Sequence, residues 1–403
     1  MRGFGPAVLA LAATACGKVD LSRAVVARVD TTTTGVVVVE NTGVPTWTDE
    51  SAWHLSESLR LGSASQVGSE AEQFGSVVSV ESDSRGRIYI LDGQGQSVSV
   101  FLHDGTFLRT VGRRGQGPGE FTAAWALSIG SGDTLTILDD GMMRYSVFSP
   151  DGRFVDMHPR GIVGYGPPLP VRLASGGYLD WGLGSPDGRL GRRGLFYPVR
   201  YGQGFGRVDT FPAIAYTRDM VPSGRMPLMD YGGFLVVTPD AEGDIWFAQS
   251  QTYRVYRRTL NADTTVTFTL PVEPVPVREV DRERVRDRWT RRPELQAEQL
   301  AALPRVKPII YGILPDNQGH VFIFVDVAEV PTGTAVDVFR DTGVYLGRMN
   351  LPVPVALESN RQPIGKISGD YLYLVAKDEM DVPYVYRFEI VKGKSPPEAD
   401  AAF

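Results

Sequence analysis

A glycine-containing turn followed by an alternating apolar strand recurs along the chain, and this repeat limits the fold more than any other feature. The strands after the turns read RIYILD, DTLTILD, GYLDWG, DIWFAQ, HVFIFV and DYLYLVA. The glycines that begin the six copies are Gly86, Gly132, Gly176, Gly243, Gly319 and Gly369. Because self-similarity at a regular spacing indicates a repeat architecture, the repeating unit has to be identified before any other element is assigned.

Each copy continues into a second strand and then into a hairpin turn. The turns at 104–105, 151–152 and 341–343 carry Asp-Gly or Asp-Thr-Gly between runs of period-two hydrophobicity, a strong hairpin signal. A further apolar run precedes each glycine turn. One unit is therefore three or four antiparallel strands in about 40 to 50 residues, which is typical of a β-propeller blade.

The two ends of the repeat region complement each other. The last unit ends at 383–393 without an outermost strand, and the alternating strand at 52–62 has no unit of its own. Pairing these two segments would close the ring and remove an exposed sheet edge. The sequence therefore predicts an all-β protein, with a six-bladed β-propeller over residues 52–393 that an N-terminal strand closes.

The segment 277–305 departs from the β pattern because it is rich in helix formers. Its apolar residues recur at helical spacing and Pro293 interrupts them, which predicts two short helices between blades 4 and 5. One interpretation is a lid over the axial channel that binds a ligand through Arg282, Arg286 and Trp289. The other is a helical cover over a sheet edge, with a solvated charged face.

The N-terminal residues 1–16 have the layout of an export signal, with an early arginine, an apolar run and small residues before Cys16. The ending Ala-Thr-Ala-Cys resembles the lipobox of bacterial lipoproteins, which implies a lipid on Cys16. We therefore predict an exported protein of the periplasm or outer membrane, attached by this lipid. The alternative is a soluble exported protein with a free thiol. Residues 17–51 are interpreted as a tether followed by an approach to the ring, and the tether covers 17–35. Residues 394–403 are interpreted as a tail.

The stretch TVGRRGQGPGEF at 110–121 combines four glycines with two adjacent arginines. In a propeller this stretch would cross from one blade to the next, where glycines allow the positive φ angles of such a path. A phosphate-binding loop would need to open a helix, and no helical pattern follows here. Arg113 and Arg114 are not required by the turn, so an exposed anion-binding pair is one interpretation and a solvated pair is the other.

Two stretches resemble a known group of proteins. GRRGQGPGEF after the strand FLRTVG, and GVVVVENTGVPTW before AWHLS, resemble the six-bladed propellers of the NHL and TolB-like type, particularly exported ones from environmental bacteria. The resemblance covers about residues 35–391 and implies the same fold. It implies little about activity, because one fold hosts many functions.

Residue types that perform catalysis are scarce. The four histidines lack the spacing of a metal motif, no GxSxG elbow occurs, and Cys16 lies outside the predicted fold. Aspartates in the blade turns are interpreted as turn caps. No cofactor is predicted, and calcium is the alternative that those aspartates leave open.

Some propellers of the resembled group are lactonases that hold a divalent metal at the axial channel through a carboxylate and amides. The predicted innermost strands here are poor in such ligands, and Glu81 is the nearby acid. Arg172 and Lys366 suggest a basic lining instead. These features favour binding over catalysis at the axis.

The chain carries 41 basic and 47 acidic residues, a net charge of −6, which argues against a nucleic-acid partner. We therefore predict a monomeric, non-catalytic binding or scaffold protein that presents a rigid loop face to a protein, peptide or saccharide. The alternative is a hydrolase or lyase that acts on a lactone, ester or uronic sugar at the channel mouth. The candidate binding residues are Arg113, Arg114, Arg282, Arg286 and Trp289.

Overall fold

The structure is a computed structural model. It describes residues 26–62, 73–161, 171–184, 193–217, 219–224, 228–316, 318–327, 334–353, 355 and 364–394. Strands are numbered in chain order, and three precede the first complete blade: β1 (Ala27–Thr31), β2 (Val37–Asn41) and β3 (His54–Leu61). Apart from two short strands that pair with each other between blades 1 and 2, the remaining strands form six antiparallel sheets arranged as a propeller, which confirms the predicted fold class.

Blades 1 to 3 each run from an innermost to an outermost strand. Blade 1 contains β4 (Val77–Ser82), β5 (Ile88–Asp92), β6 (Ser97–Phe101) and β7 (Phe107–Val111). After the short strands β8 (Arg113–Arg114) and β9 (Glu120–Phe121), blade 2 contains β10 (Ala124–Ile129), β11 (Leu135–Asp139), β12 (Arg144–Phe148) and β13 (Phe154–Pro159). Blade 3 contains β14 (Val171–Arg172), β15 (Tyr178–Gly184), β16 (Arg193–Tyr201) and β17 (Arg207–Thr210), and β18 (Ile214–Thr217) also pairs with β16.

Blades 4 to 6 continue the ring. Blade 4 contains β19 (Leu235–Pro239), β20 (Ile245–Gln249), β21 (Arg254–Arg258) and β22 (Thr264–Thr269). Blade 5 contains β23 (Ile310–Pro315), β24 (His320–Asp326), β25 (Thr334–Arg340) and β26 (Tyr345–Asn350). Blade 6 contains β27 (Gly365–Ser368), β28 (Tyr371–Lys377), β29 (Pro383–Val391) and, as its outermost strand, β3.

Hydrophobic contacts between neighbouring blades hold the ring together. The buried apolar residues divide into six clusters, and each cluster joins two adjacent blades. The cluster with Leu61, Ile90 and Phe101 packs blade 1 against Tyr373 and Val385 of blade 6. The core is therefore continuous around the ring, and its stability depends on apolar surface buried between blades.

The N-terminal strand closes the ring as predicted. Strand β3 pairs antiparallel with β29, from Val385 opposite Leu61 to Val391 opposite His54. The fourth strand of blade 6 thus comes from the opposite end of the chain, and blade 6 presents a complete sheet to its neighbours.

The assignment of residues 17–35 to a tether is wrong for Ala27–Thr31. These residues form β1, which pairs with β2, and β2 adds in parallel to the outer edge of blade 4 beside β22. Val39 of β2 is 1% exposed and packs in the cluster between blades 4 and 5, which explains why the segment joins the fold. Blade 4 therefore has six strands.

The two ends of each blade face opposite sides of the ring. On one side, here called the crossing face, the outermost strand of one blade leads to the innermost strand of the next, and second strands turn into third strands. On the other side, called the turn face, first strands turn into second strands and third strands into fourth strands. Each connection between two described strands can therefore be assigned to one face from the strand order.

The stretch at 110–121 forms the crossing between blades 1 and 2. Gly112 has a φ of +73°, and a side chain there would overlap the ring of Phe121. Phe121 is fully buried in the cluster between these blades. The glycines thus serve the chain path, as the topological interpretation proposed.

The helical insertion lies between β22 and β23, as predicted. It contains α1 (Glu279–Arg288) and α2 (Pro293–Ala302). Of the apolar residues that recur at helical spacing in this segment, Val285 is buried, whereas Val280, in the first turn of α1, is 50% exposed. Neither helix in the described part of the chain is long and apolar enough to cross a membrane.

Candidate functional site

A buried ionic cluster fixes the helical insertion to the crossing face. Nζ of Lys307 lies 3.0 Å from Oδ1 of Asp281 in α1 and 3.6 Å from Oδ2 of Asp326 at the end of β24. The Tyr231 hydroxyl donates a 2.9 Å hydrogen bond to Asp281, and Nζ of Lys307 also lies 5.3 Å from the centre of the Tyr231 ring. We call these four residues, with Tyr311, the insertion cluster.

The members of this cluster have shifted acidities. Burial alone would raise the pKa of Asp281, but hydrogen bonds from the backbone N–H of Arg278 and from Lys307 and Tyr231 lower it. Burial raises the pKa of Asp326, and the charge of Lys307 offsets this only in part. Burial and the neighbouring Asp281 carboxylate raise the pKa of Tyr231 to about 12. The cluster therefore keeps Asp281 as an anion that holds α1 in place.

The Tyr311 hydroxyl differs from the other polar groups of the cluster. The Tyr311 hydroxyl is buried without a hydrogen bond to any described residue, and burial raises the pKa of Tyr311. An unsatisfied buried hydroxyl is unfavourable.

The cluster was missed in the sequence because its members come from four separate segments, which only the folded crossing brings together.

The insertion is also attached to the preceding crossing. Nε1 of Trp289 donates a 3.0 Å hydrogen bond to Asp230, and Nη1 of Arg288 lies 2.8 Å from the other oxygen of that carboxylate. In α2, the side-chain oxygen of Gln299 accepts the backbone N–H of Met229 at 3.0 Å. Trp289, a predicted ligand-binding residue, therefore anchors the insertion to the ring.

The outer side of the insertion is basic. Residues 278–292 contain seven arginines and four acidic residues, in a chain whose net charge is −6. Arg286 is exposed and pairs with Glu279 at 2.7 Å, and Arg282 is half-buried without an ion pair to a described residue. We define the arginine surface as Arg282, Arg284, Arg286, Arg291 and Arg292. Two of the predicted binding residues thus lie on one basic, firmly attached element.

Arg113 and Arg114 do not join this surface. Nε of Arg113 donates to the Glu120 carboxylate at 2.8 Å, and Nη2 of Arg114 donates to the backbone oxygen of Gln94 at 2.5 Å. Both lie on the crossing between blades 1 and 2, three crossings away from the insertion. Arg113 and Arg114 lie on the same face as the arginine surface, but at a different crossing.

An ion pair joins the innermost strands of blades 1 and 6. Oε2 of Glu81 in blade 1 lies 3.2 Å from Nζ of Lys366 in blade 6, and burial raises the pKa of Glu81 while Lys366 opposes the rise. Arg172 of blade 3 donates to the Ser131 hydroxyl at 3.1 Å and lies over the Tyr178 ring. The basic side chains predicted near the channel are therefore engaged with neighbours.

The blade-turn aspartates act as turn caps. Carboxylate oxygens of Asp83, Asp240 and Asp316 accept backbone N–H groups two to four residues further along the chain. Across the described residues, no three His, Cys, Asp or Glu side chains are grouped closely enough to hold a metal ion. Cys16 lies outside the described residues.

A recess of about 530 Å³ opens beside the root of the insertion, between blades 4 and 5. Leu270, Glu273, Val327, Tyr345 and Arg348 are among its lining residues. Nε of Arg348 donates a 2.7 Å hydrogen bond to the buried carboxylate of Asp337. This contact directs the arginine to the interior of blade 5. Arg348 therefore stabilises the blade and does not point into the recess as a free binding group.

Comparisons with known proteins agree with the architecture. A family model described as a 6-bladed beta-propeller matches residues 69–157. The chain is similar in structure to a "putative exported protein" from Bacteroides fragilis, at 12% identity, a TM-score of 0.52, and coverage of 88% of this chain and 100% of that one. No curated protein sequence matches the chain.

Two further solved structures show weaker similarity. A member of the DUF4221 family from Bacteroides vulgatus aligns with a TM-score of 0.49 at 10% identity, covering 86% of this chain and 100% of that one. Virginiamycin B lyase from Staphylococcus aureus aligns with a TM-score of 0.45 at 11% identity, covering 84% and 100%. These two similarities carry no argument about this chain, and the propeller fold is supported by the family model and by the similarity to the Bacteroides fragilis protein.

Proposed function

We propose that the protein is an exported, non-catalytic binding module of the bacterial cell envelope, which contacts an acidic protein, peptide or saccharide through the arginine surface. The observation that carries this proposal is the firm attachment of a basic helical element to the face of an acidic propeller. The partner's negative charge would complement the arginines and steer association.

The attachment of the insertion supports binding rather than simple solvation. Asp281 and Trp289 fix α1 at both of its ends, through Lys307 and Asp230 respectively. A backbone that is already fixed loses little conformational freedom when a partner binds, so more of the contact energy appears as affinity. An insertion that only covered a sheet edge would not need a concentration of arginines on its outer side.

The place where the N-terminal segment joins the ring supports attachment to a membrane. The backbone oxygen of Val26 accepts the N–H of Thr42 at 3.0 Å, and Gly43 lies against Pro271 at the root of the insertion. The ten residue-to-residue steps from Cys16 to Val26 can span at most ~35 Å. A lipid on Cys16 would therefore hold the arginine surface close to the membrane and to partners located there.

Site-specific photo-cross-linking tests the binding surface. A photoreactive residue replaces Arg291 on the insertion or, as a matched control, the exposed Arg153 on the turn face. We expect one recurring cross-linked partner from position 291 in intact cells, lost when Arg282 and Arg292 are changed to Glu, and no such product from position 153. Equal products from both positions, or products that survive the charge reversal, would contradict the proposal.

Lipid attachment is tested separately with Cys16→Ser. We expect the wild-type protein to incorporate labelled palmitate and to sediment with membranes, and the variant to do neither. A Cys16→Ser protein that still sediments with membranes would show that another feature holds it there.

A second candidate function, a hydrolase or lyase acting at the channel mouth, is favoured by one observation. Glu81 has a raised pKa beside Lys366, and a carboxyl group with a raised pKa is suited to proton transfer. A screen of lactone, ester and uronic-sugar substrates decides this alternative. Turnover that Glu81→Gln abolishes, while Glu389→Gln retains it, would establish an enzyme and replace the binding proposal.

A further inference from the structure

Strand β1 is an unusual sheet edge. It is the outermost strand of the six-stranded blade 4 and pairs with β2 on one side, and no described strand pairs with its other side. Residues 28–31 are exposed, and Val29 is 56% exposed. Such an edge carries free backbone donors and acceptors that can pair with another strand.

The register with β2 shows which backbone groups are free. Thr42 N–H donates to the oxygen of Val26 at 3.0 Å, and Thr32 N–H donates to the oxygen of Val36 at 2.9 Å, so the even-numbered residues of β1 form its hydrogen-bonded pairs with β2. Hydrogen-bonded and non-hydrogen-bonded pairs alternate along an antiparallel ladder. The backbone groups of Ala27, Val29 and Thr31 therefore point away from β2.

These outward-pointing groups can pair with a second copy of the same strand, in which the Thr31 N–H exchanges its contact with the Asp30 carboxylate for the backbone oxygen of the other copy's Ala27. In an antiparallel pair centred on Val29, that residue meets itself and Ala27 meets Thr31, so the three outward-pointing residues face one another in hydrogen-bonding register. The remaining pairs place Arg28 of each copy opposite Asp30 of the other, at non-hydrogen-bonded positions where side chains approach most closely. The sequence ARVDT is thus complementary to itself in charge and in backbone register.

The charges needed for this pairing are available. Neither Arg28 nor Asp30 forms an ion pair within the described parts of the chain, and the Asp30 carboxylate accepts only the neighbouring backbone N–H of Thr31. Both side chains are exposed. A second copy would supply the opposite charge that each of them lacks.

Strand β17 has the tetrapeptide Arg207-Val208-Asp209-Thr210, which matches residues 28–31 of β1. In β17, however, the charged side chains already have partners within the chain. Arg200 pairs with Asp209, and Arg207 donates to Thr210. Val208 is 55% exposed, almost the same as Val29. Because the sequence and the exposure of the central valine match while the charge partners differ, β17 serves as an internal control.

We infer that β1 is a homodimerisation strand, whose partner is β1 of a second copy of this chain. This replaces the monomer predicted from the sequence and is independent of the proposed ligand. Because the two strands run antiparallel, the crossing faces of the two propellers point in opposite directions. The interface is a single short strand pair, so the dimer is weak and forms at high local concentration.

Disulfide trapping tests the register. The full chain carrying Cys16→Ser has no other cysteine, so Val29→Cys and Val208→Cys can be compared directly under mild oxidation. Facing residues of an antiparallel pair lie within the Cα separation that a disulfide spans. We expect Val29→Cys to form covalent dimers much faster than Val208→Cys. Equal rates for the two variants, or a monomeric Val29→Cys protein, would overturn the inference.

A charge swap tests the complementarity without a cross-link. Arg28→Asp or Asp30→Arg alone places like charges opposite each other twice in the dimer, and we expect each to weaken self-association in sedimentation by about tenfold. The double variant restores opposite charges and should recover the wild-type dissociation constant. Failure of the double variant to recover, with an unchanged melting temperature, would show that another surface carries the association.

Discussion

The hydroxyl of Tyr253 in blade 4 donates a 2.8 Å hydrogen bond to Oδ2 of Asp337 in blade 5. The same buried carboxylate accepts Nε of Arg348 at 2.7 Å. Blades 2 and 3 share this arrangement, since the Tyr145 hydroxyl donates to Asp180, which also binds Arg160. Two of the inter-blade interfaces therefore combine apolar packing with a directional Tyr–Asp–Arg contact.

The first prediction concerns this contact. Tyr253→Phe removes a hydrogen bond to a buried carboxylate, and we expect the free energy of unfolding to fall by about 1.5 to 3 kcal/mol. Tyr256→Phe, which changes a ring stacked on Phe247, is the control and should cost less than about 0.5 kcal/mol. Urea denaturation measures both variants, and equal losses would show that the Tyr253 hydroxyl has no special role.

The second prediction concerns the insertion cluster. Lys307→Met leaves Asp281 and Asp326 without their shared cation, so the insertion should detach and unfold locally, which lets trypsin reach the peptide bonds after its arginines. Breaking a buried ion pair costs about 3 kcal/mol, so we expect cleavage within 277–305 to accelerate at least tenfold. The control Lys377→Met removes an exposed pair with Asp381. If both variants were cleaved at the wild-type rate, the cluster would not be what holds the insertion.

The third prediction concerns pH. Burial raises the folded-state pKa of Glu81 above its ordinary 4.5, so the folded state binds the proton more tightly than the unfolded state does. The resulting stabilisation is present below pH 4.5 and is lost as the pH rises through the raised pKa. Relative to Glu81→Gln, the wild-type protein should therefore lose stability between pH 4 and pH 7. Denaturant titrations at both pH values measure this difference, and a constant difference would contradict the burial of an ionisable carboxyl.

The fourth prediction concerns the crossing between blades 1 and 2. Gly112→Ala strains a backbone with a φ of +73° and forces the new methyl group into the Phe121 ring. Gly132→Ala has nearly the same backbone strain, with a φ of +67°, but its Cβ meets no atom within 4 Å. We expect Gly112→Ala to lower the melting temperature further, by the equivalent of about 1 to 3 kcal/mol of overpacking. Equal melting temperatures would show that Phe121 moves aside freely.

The blades and their closure could be predicted because their signals are local. Each blade repeats a glycine turn and an alternating strand. The segments 52–62 and 383–393 each lacked a pairing strand, which the other could supply. Strand β1 gave no such signal, since its sheet depends on β2 pairing in parallel with β22, whose residues lie far away in sequence. A pairing between strands that are distant in sequence produces no repeating pattern from which it could be predicted.

The candidate site was predictable only in part. The helical composition of 277–305 indicated the insertion and its arginines, but not how they are fixed. Lys307 and Tyr231 stand in segments with no distinctive pattern, and their role follows from their distances to Asp281. For Arg113, the partner Glu120 is seven positions away, a spacing that becomes a contact only because the loop between them folds back.

The closure of blade 6 has a consequence for the order in which the chain assembles. Ser58 of β3 and Arg387 of β29 share a hydrogen bond across 329 positions. If the polypeptide crosses the membrane from its N-terminus, β3 arrives among the earliest segments, yet its partner arrives among the last. Until then β3 has no sheet to join and the apolar side of blade 1 has no neighbour, so the ring cannot close before the C-terminal strands are present.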